Sequence, residues 1–369
     1  MTKFRVFKTL IFSACVMGVL TACNEDDELS TSKVVVVPIP DGPGVYILNE
    51  GGMGGNNSTL THYNFGTQAI TADVLSTSPL GDIGQDMIAY GSKLYIAVNA
   101  SSNVTVLNLQ TGVLQRIPLF NGNAPRSPRY LASDNGKVYV TAYDGTVSCI
   151  DTASLAVEQT LAIAGATKLE GIAAANGKLY IANYRQDENH TTFDSYIFIV
   201  DIATFAKVNQ LEMGTNPYIV RADAKGDIYV THQGDFALDK GGLQRIDKNT
   251  NAITAVNTGD LIANCNFTIL GNDLYFFGRT YNEDYSTNNS LGIFNIENQQ
   301  VTHIVTDGTT FDTVYGIGVN PTSGDVFISN TNYQDDGEVY VFGADGVKKK
   351  TIPVGINANA FVFNRPSNE

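Results

Sequence analysis

Seven aromatic residues stand in stretches too polar to be strand interiors: Tyr143, Tyr184, Phe193, Phe236, Tyr281, Tyr285 and Tyr333. Around them lie Asn183, Arg185, Gln186, His190, His232, Gln233, Asn282 and Asn332, and a further group adds Phe120, Asn121, Asn123, Arg126, Arg129 and Tyr130. Rigid rings beside amide donors and acceptors suit a large, mostly neutral ligand with flat faces and a polar rim. The competing reading is that these side chains fold back and pack their own loops. Either way the residues are scattered over some 200 positions, so a scaffold must gather them.

That scaffold is written as a repeat. An apolar-aromatic-apolar run recurs as PGVYILN (43–49), SKLYIAV (92–98), GKVYVTA (136–142), GKLYIAN (177–183), GDIYVTH (226–232), NDLYFFG (272–278) and GDVFISN (324–330). Its aromatic anchors, Tyr46, Tyr95, Tyr139, Tyr180, Tyr229, Tyr275 and Phe327, are spaced by 49, 44, 41, 49, 46 and 52 residues. A period near 47 with short strands and Asn/Asp/Gly turns describes a propeller blade or a solenoid coil. Each unit reads as four antiparallel strands. Hairpins between the last two fall at Asp151-Thr152-Ala153, Asp201-Ile202-Ala203-Thr204, Asp247-Lys248-Asn249-Thr250 and Gly343-Ala344-Asp345-Gly346.

A short strand precedes each anchor except the first: 86–90, 130–134, 170–176, 218–223, 266–270 and 315–320. The chain ends instead with a spare strand, NAFVFN (359–364). Six whole units and one divided between the two ends predict an all-β, seven-bladed propeller of four-stranded antiparallel blades, its ring closed by the C-terminal strand. A solenoid has no use for that division, whereas ring closure removes two open sheet edges. The anchors then belong to the packing between blades.

In such a ring the loops after the second strands share a face with the connections between blades, and function gathers there. These loops are short at 99–102 and 143–145 but long at 183–195, 232–242 and 278–290, with intermediate ones at 49–58 and 330–337. The predicted ligand-contacting set is Arg129, Tyr130, Tyr143, Asn183, Tyr184, Arg185, His232, Phe236, Arg279, Tyr281 and Tyr333.

Catalytic chemistry is thinly represented, and the expectation is a binding protein rather than an enzyme, with no resident cofactor and no catalytic metal. No GxSxG element is present, and of four histidines His62 and His303 sit in outer-strand patterns. A metal-dependent hydrolase is the alternative. Glu50, Asn49, Asn183 and Asn330 follow second strands, and propeller lactonases hold a divalent metal with similar residue types. Structural calcium at the acidic 335–338 loop is a weaker option without EF-hand spacing. A third reading is an adaptor for protein or glycan with no small ligand. Cys149 and Cys265 lie in apolar strand patterns of different repeats, as buried free thiols do.

The N-terminus reads as an address. Lys3, Arg5 and Lys8 precede an apolar run, Leu10 to Leu20, too short to span a bilayer. Leu20-Thr21-Ala22-Cys23 resembles a bacterial lipobox, which makes Cys23 the lipidated first residue of the mature chain. Asn24-Glu25-Asp26-Asp27-Glu28 resembles the export signal of lipoproteins that face outward from the outer membrane. The domains expected are a leader (1–22), a lipidated acidic tether (23–43) with a candidate short strand at Val34 to Val37, the propeller (44–364) and a tail (365–369). Loss of three cations with the leader takes the formal net charge from −14 to −17. A surface so acidic repels phosphate backbones and argues against nucleic-acid partners.

The NGKLYIAN-type strands, the VDIAT-type hairpins and YILNEG at 46–51 behind a lipobox resemble the YncE-like, DUF5074-type propeller lipoproteins over the whole mature chain. The likeness is greatest to those that capture cobalamin at the cell surface. It implies a protein anchored in the outer membrane, facing out, that binds a corrinoid and passes it to a TonB-dependent barrel. The implied chemistry is Asn and Tyr against the amide arms, rings of Tyr184, Phe236, Tyr281 and Tyr333 over apolar surface, and Arg129, Arg185 or Arg279 at the single phosphate. His190 and His232 are the candidates for direct cobalt ligation, though a cobalamin carries its own axial base.

Overall fold

The computed structural model describes residues 35–185, 191–235, 239–282 and 287–364. Strands occur throughout, and seven four-stranded antiparallel sheets follow one another around a ring. Burial grades across each blade. The second strand of blade 1, Gly44–Asn49, is buried at every position, whereas outer strands such as Val157–Ala162 are largely exposed. β-Branched and aromatic residues crowd the inner positions because a pleated strand flanked by two blades has no polar face.

The ring closes as the divided repeat requires. The C-terminal strand Ala358–Asn364 pairs antiparallel with Gly44–Asn49, in register from Gly44↔Asn364 to Asn49↔Ala358, and completes blade 1 as its innermost strand. The other inner strands are Gly84–Tyr90, Pro128–Asp134, Lys168–Ala175, Pro217–Ala222, Asn266–Leu270 and Val314–Val319 for blades 2 to 7. Most begin one or two residues earlier than the sequence pattern places them: the added residues include Gly84, Gln85, Pro128, Arg129, Lys168 and Pro217, which interrupt an apolar run. Val35–Val36 forms a short fifth strand against the outer edge of blade 2, with Val35↔Leu114 and Val36↔Val113.

The anchors are core, with Tyr275 only partly buried. Tyr46, Tyr95, Tyr180 and Tyr229 are at most 1% exposed, and Phe327 packs with Phe361 and Phe363 of the closing strand. Burying such a ring is worth several kcal/mol relative to alanine, about 3–5 kcal/mol for a phenylalanine. The outer hairpins repeat one device. Asp151 Oδ1 accepts the N–H groups of Ala153 and Ser154, Asp201 Oδ1 that of Thr204, and Asp247 Oδ1 those of Asn249 and Thr250. A carboxylate that mimics a turn carbonyl holds the reversal at each site.

Backbone bonds tie the second-strand loops to the connections between blades. Gly84 N–H donates to the Glu50 carbonyl, Tyr143 to Ser127, Gln233 to Asn216 and Thr331 to Thr313. One rim of the ring therefore carries both sets of loops. Beneath it the inner strands crowd together. A Cβ on Gly171 would lie 2.3 Å from the Tyr218 carbonyl oxygen, and one on Gly316 2.8 Å from that of Ala358. Only glycine lets neighbouring inner strands approach so closely.

Candidate functional site

A cavity of about 550 Å³ opens at this rim and runs down between the inner strands. Its lining takes Gln85, Tyr130, Tyr218, Asn266, Tyr315 and Asn359 from the opening residues of the inner strands and continues down those strands to Met87, Thr268, Val319 and Phe363. Each blade feeds its inner strand into the ring from the rim side, so the leading residue projects where the channel opens. Its upper wall comes from loops and strand ends, with Arg185, Gln233, Lys240, Arg279, Tyr281 and Tyr333. Tyr281 and Tyr333 are exposed at 56% and 46%, as rings waiting at a mouth would be. Tyr333 also holds a left-handed backbone, φ 68°, steadied by its N–H to Thr331 Oγ1 at 3.0 Å. A bulky residue there is strained, and such strain gathers at binding sites.

A polar clasp supports one side. The Arg129 guanidinium donates to both oxygens of Glu170, at 2.8 and 3.0 Å, and its third arm donates to Gln85 Oε1. The Tyr143 hydroxyl donates to Glu170 Oε1 at 2.7 Å, and Arg129 lies over its ring at 4.5 Å. Gln85 Nε2 donates to the Tyr130 hydroxyl, which donates on to Tyr218 at 3.0 Å. Burial is the largest single influence on Arg129 and works against its charge, but Glu170 together with Tyr143, Tyr130 and Tyr218 more than offsets it, and the guanidinium stays protonated far beyond its ordinary range. Burial also pushes the Tyr130 and Tyr143 phenols well up and that of Tyr218 to about 12, so all three present neutral hydroxyls at any physiological pH.

The opposite side carries a second chain of contacts. The Tyr315 hydroxyl donates to Glu50 Oε2 at 2.5 Å, and its ring meets Tyr333 edge-on at 5.6 Å. Arg279 Nη1 donates to the Tyr333 hydroxyl at 2.6 Å, and Arg279 Nε donates to Cys265 Sγ at 3.4 Å. Burial raises the Glu50 carboxyl above its usual range, against the pull of the Tyr315 hydroxyl and of Arg129. Burial likewise raises Asp86, which accepts the Leu131 N–H at 2.9 Å and feels Arg221.

The structure gathers Tyr130, Arg185, Arg279, Tyr281 and Tyr333 of the expected set around the cavity. It spends others on support. Arg129 is neutralised by Glu170 rather than offered to a ligand, and Tyr143 braces the same carboxylate. Asn183 is fully buried and donates to Asp194 at 2.6 Å, holding its own loop. Tyr184 is 8% exposed and donates to Gln233 Oε1 at 2.8 Å, its ring tilted against that of Tyr218. The His232 ring lies against Gly214, where a Cβ would meet it at 2.4 Å, and burial lowers its basicity, so it is a neutral packing residue. Phe236 and Cys23 lie outside the described residues.

Of the four residues considered for a lactonase-type metal, Glu50 alone lines the cavity. Asn49 donates to Thr59 and Thr61, and Asn330 accepts the Asp312 N–H, each within its own blade. Among the described residues no three His, Cys, Asp or Glu side chains converge on a point. Cys149 and Cys265 are free and buried.

Sequence reasoning missed Gln85, Tyr218, Arg221, Asn264, Asn266, Tyr315 and Asn359, which line the cavity. All but Asn264 stand on inner strands, Gln85 just before the stretch that the sequence pattern marks as strand. The signal was present: a strand destined for the centre of a ring should be apolar from its start, and these carry an amide or phenol within their first two residues.

The profile of a family described as a domain of unknown function, DUF5074, matches residues 43–364. No curated protein matches the sequence. Among solved structures, a candidate 6-phosphogluconolactonase from Bacteroides uniformis is similar at TM-score 0.63 and 13% identity, covering 88% of this chain and 100% of that one. Another from Bacteroides fragilis gives TM-score 0.61 and 12% identity, with 88% and 98% covered. Hydrazine synthase of Kuenenia stuttgartiensis gives 0.59 and 12%, with 78% and 96% covered. At such identities the likeness is one of fold.

Proposed function

This chain belongs to the DUF5074 family, and within that family we propose that it is a surface lipoprotein of the cobalamin-capturing, BtuG-like kind. The observation that carries the reading is the cavity itself. Neutral phenols of Tyr130, Tyr218 and Tyr315 and amides of Gln85, Asn266 and Asn359 line it, and the exposed rings of Tyr281 and Tyr333 stand at its mouth. A corrinoid is a broad, nearly flat macrocycle fringed with amide arms. Phenol and amide groups pair with such arms in either direction, because each can donate and accept. The rings supply flat apolar area at low entropic cost.

In this reading Cys23 carries the lipid, the acidic residues after it direct the protein to the outer face of the outer membrane, and the loaded rim is presented to a TonB-dependent barrel. Titration of cyanocobalamin into the purified mature chain is the test. Saturable heat, and red colour co-eluting with protein in gel filtration, are expected. Colour that elutes wholly apart from protein at micromolar concentrations ends the corrinoid reading.

One feature favours hydrolysis instead. Glu50 is a cavity-facing carboxyl with a raised proton affinity beside the Tyr315 hydroxyl, which is the setting of a general acid or base. Chelator-sensitive turnover of a lactone panel that disappears in Glu50→Gln would establish that reading over capture.

A further inference from the structure

Resting on the corrinoid reading, we propose that Arg221 and Arg279 form an anion subsite in the cavity wall, built to hold one phosphodiester. Both guanidinium groups line the cavity. Arg221, on the inner strand of blade 5, donates Nε to the Phe267 carbonyl at 2.7 Å. Arg279, on the second strand of blade 6, donates Nε to Cys265 Sγ and Nη1 to the Tyr333 hydroxyl. Their two contact points, Cys265 and Phe267, are two residues apart on one stretch of chain, a separation of about 7 Å in extended backbone. The arginines therefore grip the same piece of wall from either side.

Among the described residues neither has a counter-charge in reach, a condition shared with Arg116, which donates to Ser78 and Pro79 away from the cavity, but not with the paired arginines. Arg126, Arg129 and Arg245 each meet a carboxylate within 4 Å, at Asp144, Glu170 and Asp227. Arg221 and Arg279 meet none among the described residues, although Asp86 feels the charge of Arg221 from beyond that distance. A cation taken from water into a protein wall is unfavourable unless something compensates it. Their hydrogen bonds here go to a carbonyl, a thiol and a phenol, all neutral acceptors. Arg185 and Lys240 add positive charge on the same side against one carboxylate there, Asp239, while Glu50 and Asp86 stand on the side of blades 1 and 2. The cavity is thus polarised, and its cationic wall calls for a ligand with one localised negative group on an otherwise neutral body. Guanidinium pairs suit phosphate oxygens in number and geometry.

The experiment compares two corrinoids, one with and one without the nucleotide loop that carries that group. Cyanocobalamin has the phosphodiester of its nucleotide loop, and dicyanocobinamide lacks it. Arg221→Gln and Arg279→Gln are each expected to weaken cyanocobalamin at least tenfold in calorimetry and to leave dicyanocobinamide within twofold. Equal losses for both ligands would mean the arginines only shape the cavity, and no loss for either would remove the subsite while leaving corrinoid capture standing. A second measurement stands apart from corrinoids. In protein labelled with ¹⁵N-arginine, dimethyl phosphate should move the Nε–H signals of Arg221 and Arg279, assigned through the two variants. If wild type binds neither corrinoid but these signals move, capture fails and the anion subsite survives. Signals that stay still to high millimolar dimethyl phosphate overturn the subsite.

Discussion

Arg129 and Glu170, on the inner strands of adjacent blades, form a two-point ion pair whose carboxylate is only 1% exposed. The pair is locked on both flanks, by Gln85 from blade 2 and by Tyr143 from the rim of blade 3. Three blades are thereby tied at the centre of the ring, directly beside the cavity. The tie is polar because its neighbours are. A cluster of phenols and amides around the channel supplies hydrogen bonds that a hydrocarbon core could not.

Removing one partner should leave the other charged and buried. Glu170→Ala is expected to lower stability by about 3–5 kcal/mol in urea denaturation, the usual consequence of breaking a buried pair. Replacing both, as in Arg129→Met with Glu170→Leu, should restore most of that loss, since no lone charge remains. A double variant no more stable than the single one would show that the hydrogen bonds to Gln85 and Tyr143, and not the charges, hold this region.

Ring closure makes a second prediction. The strand Ala358–Asn364 supplies the inner edge of blade 1, and Phe361 and Phe363 pack around Phe327 of blade 7. Truncation after Asn357 should expose the Gly44–Asn49 edge and abolish a single cooperative unfolding transition. A truncated chain that melts in one sharp step close to the full-length temperature would mean closure adds little.

The fold was legible and the site only partly so, for one physical reason. Blade strands such as GKLYIAN announce themselves because burial between blades forces an apolar pattern at every copy, and the split first unit follows from the missing strand before Tyr46. Rim residues obey no such rule. Tyr184 and Tyr281 look alike in sequence, each an aromatic beside arginine or asparagine, yet one is 8% exposed and bonded to Gln233 while the other stands 56% exposed. Which ring folds inward depends on neighbours from another blade, roughly 50 residues away. The same holds for Arg129 and Arg279: only the position of Glu170 decides that the first is neutralised.

Tyr281 offers the cleanest test of ligand contact, because its ring is exposed and little of the core depends on it. Tyr281→Ala should keep the melting temperature of the wild type, as surface substitutions do, and weaken cyanocobalamin about tenfold, about 1.4 kcal/mol. Unchanged affinity would place the macrocycle deeper in the cavity, on Tyr218 and Tyr315 alone.

Cys265 gives a chemical reporter. It lines the cavity next to Arg279, whereas Cys149 lies in an apolar cluster between blades. In protein with Cys23→Ser, bound corrinoid should slow alkylation of Cys265 at least tenfold and leave the rate at Cys149 unaltered. Mass spectrometry of peptides after timed exposure to iodoacetamide resolves the two. Equal slowing at both thiols would indicate a general tightening of the ring rather than occupation of this cavity.

Glu50 makes the pH dependence directional. Burial raises its carboxyl in the folded chain, with Tyr315 and Arg129 only partly offsetting the effect. The folded state therefore holds the Glu50 proton more tightly than the unfolded chain, whose glutamates titrate at about 4.3. Below that value the group takes nothing from stability. As pH rises through the unfolded and then the folded value, ionisation favours unfolding, and the full penalty is present above both. Exposed turn carboxylates such as Asp201 and Asp247 are lowered and slope the other way, so the wild-type profile alone is ambiguous. The difference between Glu50→Gln and wild type isolates the site, because those turns are common to both. Measured by urea unfolding from pH 4 to pH 7.5, that difference should shift steadily in favour of the variant as pH rises. A difference that stays flat would mean the Glu50 carboxyl titrates alike in both states, and one that shifts toward wild type would mean that Tyr315 and Arg129 stabilise its charge more than burial opposes it.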